Sequence, residues 1–217
     1  MKRISAPRTW PIIRKQNTFV RRPAPGAQRL EHGMSLQTWL IEVLGVASTA
    51  REARSAIRAG AIKVNGTVAK SQDLIVGLFD VISIEEGADY LITLSKQNRL
   101  VAHETTYTGS NLSRVEGKSI VKGGKIQYRL FNGRTQLGEN DYKVGQTVIV
   151  TNGKIEKNLP LKTGTTVYFT RGASVGQRGT VKQTGETIIV TVDGKDIESH
   201  RDVFVVITGF APLEGEA

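Results

Sequence analysis

Apolar and polar positions along the chain change period several times, and the changes divide it into segments. Leu36, Leu40, Val43 and Leu44 recur at i, i+4, i+7 and i+8, which predicts a helix with one buried stripe. Ser35 starts it, and Gly45 stands where a left-handed residue would stop it. Thr49 and Glu52 have the spacing of a capping box, which predicts a second helix ending at Gly60 with Ala53, Ala56 and Ile57 on a narrow apolar face. Arg51, Arg54 and Arg58 fall at i, i+3 and i+7 on a different face of that helix.

Beyond Gly60 the pattern shortens to strands. Residues 61–64 read as one strand, Asn65-Gly66 as a type I′ turn, residues 67–69 as the return, and residues 81–84 as a further strand. Past residue 95 the chain is β-rich. Residues 118–130 alternate around Gly123-Gly124, residues 142–150 are a turn feeding a strand, and Thr151-Asn152-Gly153-Lys154 is another hairpin signal. Strands are predicted at 166–170, 179–182, 187–192 and 203–207, separated by Gly- and Asp-containing turns, a spacing that suits a small SH3-like barrel.

The first 33 residues fit neither period. Pro7, Pro11, Pro23 and Pro25 exclude a continuous helix, while Trp10, Ile12, Ile13, Phe19 and Val20 interleave with cations. The expected fold class is therefore α+β and multidomain. It has a basic extended N-terminal arm (1–33), a two-helix-plus-hairpin domain (34–95), a central β-barrel-like domain (96–163), an SH3-like barrel (164–210) and an acidic tail (211–217).

Charge sharpens this division. The net +10 is segregated: residues 1–33 carry +7, 34–95 carry −2, 96–163 carry +7 and 164–217 carry −2. Such an excess points to a polyanionic partner, and a Pro-rich basic arm with apolar anchors suits a phosphate backbone. Within the acidic second segment the three helical arginines look directed, because a planar guanidinium pairs with phosphate through two contacts.

Other chemistries drop out. The chain has no cysteine, which excludes a disulfide framework and a thiol nucleophile. His32, His103 and His200 lie in no metal-ligand spacing, and no Walker loop or nucleophile elbow is present. Gly172-Ala173-Ser174-Val175-Gly176 lacks the flanking strand and helix an elbow needs, and Asp193, Asp196, Glu198 and Asp202 fit a turn-rich edge. No apolar run is long enough to span a bilayer, and residues 1–8 lack the apolar core of a secretory signal. The expectation is a soluble cytoplasmic protein with no catalytic residue, metal, cofactor, membrane or small-molecule substrate.

Several segments, in order, resemble the S4e family of ribosomal proteins. Lys2-Arg3-Ile4-Ser5-Ala6-Pro7-Arg8-Thr9-Trp10-Pro11 is similar to its amino-terminal arm. Thr49-Ala50-Arg51-Glu52-Ala53 through Gly60, Val64-Asn65-Gly66 and Gly77-Leu78-Phe79-Asp80-Val81-Ile82-Ser83-Ile84 resemble its two-helix RNA-binding domain. Val121-Lys122-Gly123-Gly124-Lys125-Ile126-Gln127 and Tyr142-Lys143-Val144-Gly145 resemble its central β-domain, and residues 172–181 its KOW motif. Asn132 departs from the acidic residue the family often has before Gly133-Arg134.

The resemblance implies a structural constituent of the small ribosomal subunit that scaffolds its rRNA beside neighbouring ribosomal proteins. It implies RNA contacts at Lys2, Arg3, Arg8, Arg14, Lys15, Arg21, Arg22, Arg51, Arg54, Arg58, Lys63, Asn65, Lys122, Lys125, Arg171, Gly172, Gln177, Arg178 and Gly179. Two other functions compete. An S4-type RNA-modifying enzyme would need an Asp after Gly-Arg-Leu, and here Thr135-Gln136 follow Gly133-Arg134. A KOW-containing transcription or translation factor leaves the basic arm and the central domain unexplained.

Overall fold

The computed structural model describes residues 1–217 except 27, 139–141, 152–153, 186, 201–202 and 209–217. Asn152-Gly153 of the expected hairpin turn, Asp202 of the acidic cluster and the 211–217 tail thus lie outside the described residues. The chain divides into two compact units, residues 1–94 with 98–109, and residues 95–97 with 110–217.

In the first unit, Ser35 is the N-cap of a short helix, its hydroxyl accepting from the Thr38 amide at 3.3 Å. Helix α1 (Leu36–Thr38) continues directly as a π-helical turn (Trp39–Val43), closed by the Leu44 amide donating to the Trp39 carbonyl five residues back. The widened turn keeps Leu36 and Leu40 in the core and adds Trp39, whose indole N–H donates to the Val76 carbonyl at 2.9 Å. Helix α2 (Ala50–Ala59) is capped as its sequence predicts: Thr49 Oγ1 accepts from the Glu52 amide, and Glu52 accepts from the Ser48 amide at 2.8 Å. The Ser48 amide first, and the Thr49 hydroxyl after it, hold the Glu52 carboxyl below its ordinary pKa. Gly60, at φ +82°, ends the helix.

Strands β1 (Gly33–Ser35) and β4 (Ile75–Gly77) pair antiparallel, and a Cβ on Gly77 would sit 2.2 Å from the His32 carbonyl oxygen, so only glycine permits this approach. The main sheet of the unit runs β3-β2-β5-β6-β7, all neighbours antiparallel. Its strands are β2 (Ile62–Val64), β3 (Thr67–Val68), β5 (Val81–Ile84), β6 (Asp89–Leu94) and β7 (Leu100–Thr105). The boundary expected at residue 95 falls in the β6–β7 hairpin, because the Leu94↔Leu100 register carries the pairing ten residues further into the first unit.

The basic arm is the main correction. Residues 1–33 do not form an extended tail: they are folded into the first unit, with Trp10, Ile12 and Val20 buried. Trp10 Nε1 donates to the Leu30 carbonyl at 3.0 Å, and the Leu100 amide donates to the Thr9 carbonyl at 2.8 Å. Three of the apolar residues between the cations, which an extended arm would leave wet, are core, while Ile13 and Phe19 stay exposed.

The second unit holds two antiparallel sheets. One runs β10-β9-β8-β11-β12, built from β8 (Ser110–Ile120), β9 (Ile126–Leu130), β10 (Thr135–Gly138), β11 (Thr147–Thr151) and β12 (Lys154–Leu159). Its outer strands β10 and β12 approach each other, so the sheet curls around Val115, Tyr128, Leu130, Val148 and Val150. Tyr128 meets Tyr142 edge to face with centroids 5.3 Å apart. The other sheet runs β16-β15-β14-β13-β17: β13 (Thr166–Phe169), β14 (Arg178–Gln183), β15 (Ile188–Val192), β16 (Lys195–Ser199) and β17 (Phe204–Val206). Period-two burial along β15 places Ile188, Val190 and Val192 inside with Phe169 and Phe204. The described residues are mostly β, with α1 and its π-helical turn, α2 and a 3-10 turn at Arg3–Ser5 as the helical elements.

Candidate nucleic-acid interface

The expected contacts separate into groups that face solvent and groups the fold uses internally. Arg3 is only 3% exposed. Its guanidinium forms an ion pair with Glu42, on the π-helical turn, and donates to the carbonyls of Ile13 (2.9 Å) and Phe19 (3.3 Å). Arg14 donates to the carbonyls of Arg3 (3.2 Å), Ala6 (2.9 Å) and Pro7 (2.7 Å), winding the first turn of chain around itself. Arg3 is thus buried and satisfied inside the protein, and half-buried Arg14 has both terminal nitrogens on main-chain oxygens, so the fold itself uses these two expected contacts. Arg21 reaches the surface but is bonded in two contacts to Asp73, the second at 2.7 Å. That bond raises the Arg21 pKa and, as the leading cause, lowers that of Asp73, which also feels the charge of Arg54.

Asn65 is likewise committed. At φ +52° it forms the turn with Gly66 at φ +74°. Its amide N–H donates to Asp80 at 2.6 Å while its carbonyl oxygen accepts from the Val81 amide at 2.8 Å. Asp80 is buried and also accepts from the Gly77 amide at 2.9 Å, so the side chain of Asn65 braces the β2–β3 turn against β5. Gly179 is buried under β15; a Cβ there would lie 2.5 Å from Val190 Cγ1 and 2.9 Å from the Thr191 carbonyl oxygen. It is a packing glycine.

Lys2, Arg8, Lys15 and Arg22 of the N-terminal segment are exposed. So are Arg51, Arg54 and Arg58, which with Ser55 line a shallow depression on α2. Arg54 Nε donates to Gln72 Oε1 at 3.1 Å, which orients it without neutralising it. Lys63 is exposed on β2 beside Gly66, Ser83 and Tyr107. Lys122 and Lys125 are exposed in the tight β8–β9 connection, as are Lys118 and Ile120 at the end of β8.

In the second unit the loop from Arg171 to Gln177 joins β13 to β14. Gly172 (φ +86°) and Gly176 (φ +74°) shape it, and Val175 anchors it in the core. Arg171 lies 5.9 Å from the centroid of Phe131 and 3.9 Å from Glu116, while buried Arg114 lies over the same ring at 5.3 Å. The base of the loop is thereby fixed, with Gly172 exposed and Gln177 and Arg178 half-buried. The sequence reading missed Arg114, Glu116 and Phe131, which are separated from the loop by at least 40 positions and carry no local signal. Among the described residues no three His, Asp or Glu side chains gather as a metal site, and no helix is long and apolar enough to cross a membrane.

Comparison with known proteins places this geometry. Three family models match consecutive stretches: the RS4NT (NUC023) domain at residues 1–31, the S4 domain at 34–82 and ribosomal family S4e at 86–156. The chain is 33% identical to the small ribosomal subunit protein eS4 of Methanocella arvoryzae over 95% of its own length and 93% of the relative's. It is 35% identical to that of Archaeoglobus fulgidus, over 94% and 92%. The crystal structure of the 30S ribosomal protein S4e from Thermoplasma acidophilum superposes with a TM-score of 0.64 at 25% identity, covering 81% of this chain and 94% of the other.

Proposed function

Because the chain belongs to ribosomal family S4e, whose members are structural ribosomal proteins and not enzymes, we propose that it binds and scaffolds the rRNA of the small subunit in the cytoplasmic ribosome. One observation carries this reading: the S4 domain presents Arg51, Arg54 and Arg58 together on the outer face of α2. The contacting set is Lys2, Arg8, Lys15, Arg22, Arg51, Arg54, Arg58, Lys63, Lys122, Lys125, Gly172, Gln177 and Arg178. Arg171 joins it at the edge of the Phe131 stack. Phosphate contacts give affinity and position, while the shapes of the folded units select among RNA surfaces.

The units divide this work. The S4 domain spans 34–95 with its β7 extension, the curled sheet forms the central domain, and the last five strands form an SH3-like barrel with a KOW loop at 171–178. Neighbouring small-subunit proteins are further partners. The test is binding to small-subunit rRNA fragments over a range of salt. The log of the affinity falls linearly with the log of salt, with a slope of about −0.7 for each phosphate neutralised on a single strand and a steeper one, about −0.9 on B-form DNA, on a duplex. A flat plot contradicts the proposal, as does native protein that leaves ribosomal particles at modest salt.

A further inference from the structure

The N-terminal segment buries part of its apolar content and displays the rest. Trp10, Ile12 and Val20 are core, yet Phe19 is 67% exposed beside an open groove of about 930 Å³. Phe19, Arg22, Pro23, Pro25, Leu30 and Ile75 line that groove. Its walls also include the Arg21–Asp73 pair, whose charges cancel, so Arg22 gives the groove its net charge.

Phe19 is not on a loose loop. Its carbonyl accepts from Arg3 Nε, the Arg3 amide bonds to the Thr18 carbonyl at 3.0 Å, and its backbone bridges antiparallel to Lys2. Residues paired in this way project their side chains to the same side, which places an exposed ammonium next to the exposed ring. The groove lies near the α2 arginines: Asp73 in its wall feels the charge of Arg54, which donates to the neighbouring Gln72.

We infer that this groove takes an unpaired nucleotide of the bound RNA, its base stacked on Phe19 and its flanking phosphates facing Lys2 and Arg22. An exposed aromatic face on an anchored backbone between cations is the arrangement that receives single-stranded nucleic acid, because every base has a π-face and every linkage a charge. The nearness of Asp73 to Arg54 lets one strand pass from the α2 arginines to the groove. An acidic protein segment is the weaker occupant, since it brings no flat ring system to stack on Phe19. The inference rests on the RNA-binding reading above and adds the strand state and the contact.

The experiment uses the full chain, a labelled single-stranded oligoadenylate and a duplex of equal length. Phe19→Ala weakens binding of the single strand about ten-fold, leaves the duplex unchanged and keeps the salt slope, because no charge is removed. Phe19→Trp restores affinity, and its emission is quenched on adding the oligoadenylate. Equal affinity of wild type and Phe19→Ala for the single strand overturns the inference, as does an equal loss on duplex or displacement of oligoadenylate by oligoglutamate that depends on Phe19. Failure of the wild type to bind either RNA at low salt removes the RNA-binding reading itself, and this inference with it.

Discussion

In the first 22 residues the guanidinium groups of Arg3 and Arg14 turn inward, onto Glu42 and a ring of main-chain carbonyls, whereas on α2 Arg51, Arg54 and Arg58 all face solvent. The N-terminal segment carries the larger net charge, +7 against −2 for residues 34–95, but part of that charge is structural. Counting cations therefore overstates the segment as an electrostatic footprint and understates it as a folding element. α2 shows the converse. Its module is net acidic, yet the fold directs three arginines to one patch, and direction matters more than total for meeting a polyanion.

Deleting residues 1–22 tests the comparison most severely. A solvated arm would leave the rest folded. Here the deletion removes Trp10, Ile12 and Val20 from the core, takes away the partner of Glu42 and frees the Leu100 amide. The first unit loses its cooperative transition in urea and its near-ultraviolet signal from Trp39. A truncated protein that melts like the full chain would contradict the packed description of this segment.

A single substitution makes a finer cut. Arg3→Ala leaves Glu42, whose side chain is 19% exposed, without its cation, and costs about 3 kcal/mol in urea unfolding. Its rRNA affinity, measured where the variant is folded, stays at the wild-type value because Arg3 faces no solvent. A reversed outcome, affinity lost and stability kept, would return Arg3 to the RNA surface.

The comparison also separates what the sequence discloses from what it does not. The Ser35 cap, the Thr49–Glu52 box, the Asn65-Gly66 turn and strands β13, β14, β15 and β17 were legible, because each signal lies within a few residues of its effect. Strands β1, β4, β6, β7, β10 and β16, and β8 before residue 118, were not. β16 (Lys195–Ser199) is a polar edge strand whose Asp196 bonds Lys182 and Thr191, so its sequence reads as a turn. The role of Arg3 depends on Glu42, 39 positions away, and Asn65 is committed to Asp80 across 15. Periodicity gave the helix of α1 but not its π-turn, since the widening follows from seating Trp39 under Val76.

On α2 the predictions invert. Replacing Arg51, Arg54 and Arg58 together by alanine leaves stability within about 0.5 kcal/mol, since exposed substitutions without buried partners act weakly. Affinity for rRNA fragments falls roughly a hundred-fold at low salt, at about 1 kcal/mol for each contact, and the salt slope becomes shallower by about one for each arginine. Unchanged slope in this triple variant would move the phosphate contacts elsewhere.

The smallest effect lies where the two regions meet, at Asp73 between Arg21 and Arg54. The Arg21 hydrogen bond lowers the Asp73 pKa, with burial opposing it and both arginines adding to it. A depressed carboxyl contributes stability that is present above its unfolded value, about 3.9, and is lost as the pH falls through the lower native value. The two side chains are 40% and 27% exposed, so screening holds the contribution to roughly 0.5 kcal/mol. Asp73→Asn is therefore slightly less stable than wild type at pH 7, and the gap closes in acid. The same variant unpairs Arg21 and removes the negative charge beside Arg54, so its RNA affinity rises and its salt slope steepens. A variant that lost both stability and affinity would show Asp73 to be a scaffold for the arginine face, not the group that keeps the N-terminal charge from reaching it.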